Sequence, residues 1–396
     1  MLPLFLLCLL PSDDVLQSWK HWLQASSPRP ALEVQAWSRV PLSRHQAQAA
    51  QVLLVDQQQA RLREERAEEW KQKQIDLNQL TMRFAVHVYG EKPAQGRSLY
   101  ISLHGGGNSG QRVNNQQWEN QKKLYQPAEG VYIAPRAPND AWDMWFQSHM
   151  DAFFARLIED AVLFADVDVN RVYLMGYSAG GDGVFRLATR LADRWAAAAM
   201  MAGHPGDVRP DNLRNLPFAL YMGGKDSAYE RNKRAEEWKS KLATLQQGDP
   251  SGYPHQVVIF PEYGHWMQRK DAAAVPWMAK QQRQTVPPVV VWQSPQPGSF
   301  YWLADVAVEE GKQKQARIEA RVKGQVIQLH SEHVNQLTLR LRDDLVNLDQ
   351  PVTVEWDGKE VFSGKVPRTL QGIHSTWTVR LDAGLIYPAG ITVNKP

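Results

Sequence analysis

Residues 171–181 read RVYLMGYSAGG. A short β-prone run, residues 171–175, leads into Gly176-Tyr177-Ser178-Ala179-Gly180, and residues 181–192 continue with helical spacing. This is G-x-S-x-G in a strand–turn–helix setting. The pattern has a steric cause. A serine on a sharp turn between strand and helix stands clear of the sheet. The flanking glycines let the two elements approach closely.

Working outward, strand-like runs occupy residues 82–89, 98–103 and 130–134 before the serine, and residues 196–202, 217–222 and 256–260 after it. Helical stretches fall between them at 116–125, 151–165, 181–192, 229–245 and 271–283. Alternating strands and helices, with short apolar later strands, predict an α/β fold. It is a mostly parallel sheet with helices on both faces over residues 76–285.

A catalytic serine needs a base, an acid to orient it, and donors for a developing oxyanion. On such a sheet the acid and base follow the serine in that order, each just past a strand's carboxyl end. Residues 217–222 end in Gly223-Gly224-Lys225-Asp226, and residues 256–260 end in Pro261-Glu262-Tyr263-Gly264-His265. The expected roles are therefore nucleophile for Ser178, base for His265 and acid for Asp226. Asp207 and Asp271 stand as alternative acids and His204 as an alternative base. The oxyanion donors are expected from the N–H of Ala179 and from the loop His104-Gly105-Gly106-Gly107, Gly106 first and Gly107 next. His104 is expected to position that loop.

Taken together, Gly176 to Gly180, His104 to Gly107, Asp226 and His265 resemble the α/β-hydrolase superfamily. Within it the chain is similar to the secreted esterase and polyhydroxybutyrate-depolymerase-like group, with its feruloyl-esterase-like members. The likeness covers roughly residues 76–285. Ala134-Pro135-Arg136-Ala137-Pro138, followed by Trp142 and Trp145, is similar to a loop of that group. The resemblance implies a serine hydrolase without a cofactor, with Ser178, Asp226 and His265 as its triad. A small-molecule or polymer ester is the implied substrate. A peptidase with the same triad is the alternative, and a non-catalytic binding protein on this scaffold is the third reading.

Around this centre, Trp142, Trp145 and Trp266 suggest an aromatic wall for substrate, or a hydrophobic cap on the sheet. Arg136 suits a substrate carboxylate or a loop-bracing ion pair. Residues 13–75 carry no Gly and read as a helical N-terminal extension, with a charged helix at residues 57–73. Residues 284–298 hold four prolines, after which residues 286–396 read as a small β-sandwich of short strands, the last at 376–381. Trp292, Trp302, Trp356 and Trp377 there could bind polysaccharide or fill the sandwich core.

The net charge of +3 gives no footprint for nucleic acid. A single cysteine, Cys8, excludes an internal disulfide framework and any cysteine-based zinc site. No ligand spacing suggests a metal. Residues 2–10, LPLFLLCLL, are too short to span a bilayer, and residues 1–12 are expected to be a signal segment. That implies export to the periplasm or beyond, or a cytoplasmic protein if the run is not a signal.

Overall fold

The computed structural model describes residues 12–25 and 29–396, so the apolar run read as a signal lies outside the described residues. The chain forms two compact units. One is Glu65–Gln293; the other joins the residues up to Glu64 with Ser294–Pro396. The expected N-terminal extension thus groups with the C-terminal strands, and the division near the prolines falls after Gln293. The chain opens with helices α1 (Ser12–Gln24) and α2 (Arg44–Gln72).

The unit Glu65–Gln293 runs β1 (Gln74–Leu77), β2 (Leu80–Tyr89), β3 (Arg97–Leu103), α3 (Gln111–Gln121), β4 (Gly130–Pro135) and α4 (Met150–Phe164). It continues through β5 (Val167–Tyr177), α5 (Ala179–Arg190), β6 (Ala197–Met201), β7 (Phe218–Gly223), α6 (Arg231–Gly248), β8 (His255–Phe260), α7 (Ala274–Met278) and β9 (Val289–Gln293). The strands β1 to β8 form one sheet in the order β1-β2-β4-β3-β5-β6-β7-β8. The β1/β2 and β2/β4 pairs are antiparallel, and every pair from β4 to β8 is parallel. This is the mostly parallel sheet of an α/β-hydrolase fold. The strand β1 has no counterpart in the sequence reading. It is four residues long, and its turn rests on Asn78 and Gln79, both with positive φ.

The central strands β4, β6 and β7 are buried at every position, as strands covered on both faces must be. Alternate residues make two different surfaces. Tyr100, Tyr132, Tyr173, Tyr177, Tyr221, Ala197 and Ala199 share one core cluster with α7's Val275 and Met278. Helix α5 buries Val184, Phe185, Leu187 and Ala188. On α6, Ala235, Trp238 and Leu242 form the buried stripe, and Trp238 packs its ring against Phe185 and Phe218.

The other unit holds β10 (Ser299–Phe300), β11 (Leu303–Val308), β12 (Arg317–Lys323), β13 (Val326–Glu332), β14 (Val334–Leu341), β15 (Val352–Trp356), β16 (Lys359–Gly364), α8 (Leu370–Arg380) and β17 (Ala389–Asn394). One sheet runs β10-β11-β14-β17, and within this unit the second runs β16-β15-β13-β12. The turn of the β15/β16 hairpin is Asp357-Gly358, both at positive φ as a two-residue hairpin turn requires. Residues 376–381, expected as a strand, are the end of α8 and its cap. Thr369 caps that helix by accepting from the Gly372 N–H at 3.0 Å, and Leu370, Ile373 and Trp377 put one face into the core. Trp302, Trp356 and Trp377 are buried, as is Trp292. They fill cores and offer no exposed platform for a polysaccharide.

Candidate active site

Ser178 occupies the single residue between β5 and α5, at φ 58° and ψ −120°. A non-glycine residue in this region is strained, and something must hold it there. Its N–H donates to the Met201 carbonyl of β6 at 2.9 Å, and its carbonyl accepts from Asp182 N–H at 3.0 Å. The glycines are there for lack of room. A Cβ on Gly176 would strike the Gly180 carbonyl, and one on Gly180 would strike the Leu103 carbonyl of β3. Gly181 faces the Met201 carbonyl, where a Cβ would come within 2.6 Å.

Asp226 lies in the turn after β7 and His265 in the turn after β8. His265 Nε2 is 2.9 Å from Ser178 Oγ, and Nδ1 is 2.7 Å from Asp226 Oδ2. A carboxylate accepts only, so Nδ1–H donates to Asp226 and Nε2 is left as the acceptor facing the serine. Asp226 is 3% exposed, whereas the His265 side chain is 43% exposed. The carboxylate is sheltered and the imidazole opens to solvent. The alternatives lie elsewhere. Asp207 pairs with Arg186 at 2.6 Å, and buried Asp271 accepts from the Tyr125 hydroxyl. His204 Nδ1 accepts the Gly206 N–H at 2.9 Å.

The turn carrying His265 is braced by Tyr177, a contact that the sequence reading did not foresee. Its hydroxyl donates to the His265 carbonyl at 2.6 Å and accepts the Met267 N–H at 3.0 Å. Tyr177 is the residue next to Ser178, so the strand that carries Ser178 also fixes the position of His265.

The glycine loop after β3 meets the serine. A Cβ on Gly105 would sit 3.2 Å from Ser178 Cβ. His104 is fully buried. Its Nε2 accepts the Ala137 N–H at 3.2 Å, so Nδ1 carries the proton and donates to the Gly105 carbonyl at 2.6 Å. Burial holds its pKa down to about 3, so the ring is a neutral strut. Gly106 and Gly107 have φ of 100° and 75°, a conformation that favours glycine. The Gly107 N–H donates to Asn114 Oδ1 at 2.8 Å, which takes Gly107 out of the expected oxyanion donors. Asn114 Nδ2 donates to the Ser109 carbonyl at 2.8 Å, closing the loop on itself. No residue type in the sequence marked Asn114 for this task. The Gly106 N–H has no partner among the described residues. Ala179 is the first residue of α5, where N–H groups lack an intrahelical acceptor.

Two of the expected substrate-binding residues are structural. Trp145 is fully buried, and its Nε1–H donates to the His104 carbonyl at 2.9 Å while the two rings meet edge to face. Arg136 is buried and spends four of its five N–H groups on its surroundings, through Asn115 Oδ1, the Ala137 and Asn139 carbonyls and Asp140. A buried guanidinium with these partners braces its loop and does not present the two free N–H groups that a bidentate substrate carboxylate would need. Trp142 (61% exposed) and Trp266 (52% exposed) do face solvent. Trp142 backs Gly107, and Trp266 leans on the Tyr177 ring.

No family model matches the chain. A curated protein of Nocardia uniformis subsp. tsuyamanensis, named "Putative esterase NocK", is 31% identical over 158 residues. The match covers 37% of this chain and 45% of that protein, so it spans less than half of the relative's length. Among solved structures the chain is similar to a thermostable esterase at 17% identity and a TM-score of 0.42, covering 53% of this chain and 62% of that one. It is also similar to an S-formylglutathione hydrolase from Agrobacterium tumefaciens at 14% identity and a TM-score of 0.40, covering 52% and 93%. A carboxylesterase from Mesorhizobium loti aligns at 18% identity and a TM-score of 0.38, covering 52% and 99%.

Proposed function

We propose that this protein is a serine hydrolase that cleaves carboxylic esters through an acyl-enzyme. One observation carries the reading: Ser178 Oγ, His265 Nε2 and Nδ1, and Asp226 Oδ2 form a continuous hydrogen-bonded chain on a strained strand–helix turn. In this reading Ser178 attacks the ester carbonyl while His265 takes its proton. Asp226 keeps the imidazole in the Nδ1–H tautomer and stabilises the imidazolium. The oxyanion is met by the N–H groups of Gly106 and Ala179, each worth about 3 kcal/mol to the transition state if it behaves like donors of this kind elsewhere. His265 then protonates the leaving alcohol, and water attacks the acyl-enzyme by the same route. The choice of ester over amide is supported by the esterase name of the sequence relative.

Intact-mass analysis after a fluorophosphonate, beside p-nitrophenyl acetate and a short peptide amide as substrates, tests this. The expected result is one adduct at Ser178, ester turnover lost in step, and no comparable amide turnover. Amide turnover equal to ester turnover would replace the esterase reading with a peptidase. Folded protein with neither adduct nor turnover would overturn the hydrolase reading.

A further inference from the structure

The turn between β7 and α6 carries more strain than a connection needs. Tyr229 (φ 53°, ψ 23°) and Glu230 (φ 56°, ψ 27°) are consecutive left-handed residues, neither of them Gly, Asn or Asp. Such residues are strained and persist only where surrounding structure holds them. Here Asn232 does so, through its N–H to the Asp226 carbonyl at 3.0 Å and its Nδ2 to the Gly224 carbonyl at 2.9 Å. The product of the strained turn is the placement of Arg231. Its side chain is 11% exposed, with one guanidinium nitrogen 3.7 Å from Asp226 Oδ1. Its Nε is buried without a partner among the described residues, and the guanidinium lies over the exposed Tyr229 ring at 4.9 Å.

A buried guanidinium this poorly bonded is not there for stability, because a buried ion pair recovers its desolvation cost only with good geometry. What it does have is position. Asp226 uses Oδ2 for His265 and presents Oδ1 to Arg231. We propose that Arg231 is a positioning residue of the hydrolase site, holding Asp226 with Oδ2 turned to His265 and placing a fixed positive charge beside the carboxylate–imidazole pair. This rests on the serine-hydrolase reading above. The charges facing this group are otherwise few. Asp182 and Arg186 come from α5, His204 from the loop after β6, and Arg234 from α6. Tyr177 lies on the β5 side. Arg186 and Arg234 are occupied by Asp207, Glu230 and Glu237. Asp182 accepts the His204 N–H at 2.6 Å.

The test is the pH profile of kcat/KM for p-nitrophenyl acetate, measured on the full chain for wild type, Arg231→Gln and Arg231→Lys. The acidic limb reports the free enzyme's base. Removing a nearby cation stabilises the imidazolium, so the limb should move up by roughly 0.5–1 pH unit in Arg231→Gln. Arg231→Lys should keep the limb at the wild-type position. Coincident limbs for Arg231→Gln and wild type overturn the proposal. So does a limb in Arg231→Lys displaced as far as in Arg231→Gln. If neither variant folds, Arg231 is a structural residue and the proposal also falls. Fluorophosphonate labelling of the wild type separates the two levels: an unlabelled Ser178 removes the hydrolase reading itself, whereas labelling with unmoved limbs removes only Arg231.

Discussion

At the scale of the residue, the site is a set of backbone conformations that a few side chains keep in place. Ser178 sits at positive φ because three glycines leave space for β3, β5, β6 and α5 to converge on it. Gly180→Ala would drive a Cβ into the Leu103 carbonyl, and backbone cannot give way as a flexible side chain can. The expected outcome is a loss of at least about 2 kcal/mol in denaturant unfolding, together with lost ester turnover. Tyr177 offers a finer test. Tyr177→Phe removes the donor to the His265 carbonyl and leaves the buried Met267 N–H unpaired, a change costing about 1–3 kcal/mol. Because the brace acts on His265, the base in the proposed reaction, and not on substrate contacts, kcat should fall while KM stays close to wild type. A raised KM with unchanged kcat would contradict this role. Residue type alone pointed to Ser178, His265 and Asp226 because the motif and the strand ends confine them. It could not place Trp145 or Arg136, since a tryptophan or arginine beside a site reads the same from sequence whether it faces outward or is spent on its own loop.

At the scale of the element, helices α2 and α4 meet within Glu65–Gln293 through buried charge. Arg66 bonds Glu159 at 2.8 Å and lies 3.4 Å from Asp160, and Arg156 bonds Glu69 at 2.8 Å. Asp160 is fully buried, and one carboxyl oxygen has no partner among the described residues. Desolvation, with the negative charge of Glu69 nearby, pushes its pKa up to about 8. The folded protein therefore binds this proton more tightly than the unfolded chain does. The resulting stabilisation is fully present below about pH 4 and is lost as the pH rises towards 8. Asp160→Asn, which has no charge to bury, should gain on wild type over that window and be more stable by about 1–2 kcal/mol at pH 8. Urea unfolding of both proteins at several pH values checks it, and a stability difference independent of pH would rule the account out. The elements themselves were readable to differing degrees. The strands β2 to β8 announce themselves by alternation or apolar runs. The strand β1 does not, because four residues hold too little periodicity. Helix α8 was concealed for another reason: Thr376, Trp377, Thr378 and Val379 have strand propensity. The contrary signal was the Thr369 cap and the spacing of Leu370, Ile373 and Trp377, and tertiary burial decided in its favour.

At the scale of the whole molecule, the chain is divided so that one unit is built from both sides of the other in sequence. Described residues before Glu64 share one core cluster with α8 and Ile386. Val15, Trp19, Trp22 and Leu23 of α1 meet Ala47, Ala50 and Leu54 of α2, and Leu370, Ile373 and Trp377 of α8. Trp19 is at the centre. It is fully buried, stacks on Trp22 with centroids 5.5 Å apart, touches His374 edge to face, and donates its Nε1–H to the Ala50 carbonyl at 3.0 Å. Charged residues 57–73 drew attention in the sequence to a solvated helix, but it is this earlier apolar stripe that ties the segment into a core. Trp19 and Trp22 stack within that core, and truncating Trp19 would leave a cavity the size of an indole ring. Trp19→Ala should therefore cost about 3–5 kcal/mol of the stability of this unit. Trp19→Phe, which keeps the stacking surface but loses the hydrogen bond, should cost less than half as much. Denaturant unfolding followed by tryptophan emission, with binding of a hydrophobic dye as a second readout, measures both. If Trp19→Ala unfolds at the wild-type midpoint and takes up no dye, the helices before Glu64 are an ornament on the C-terminal strands. If both substitutions cost the same, the hydrogen bond to Ala50 and not the ring's burial holds α1 in place.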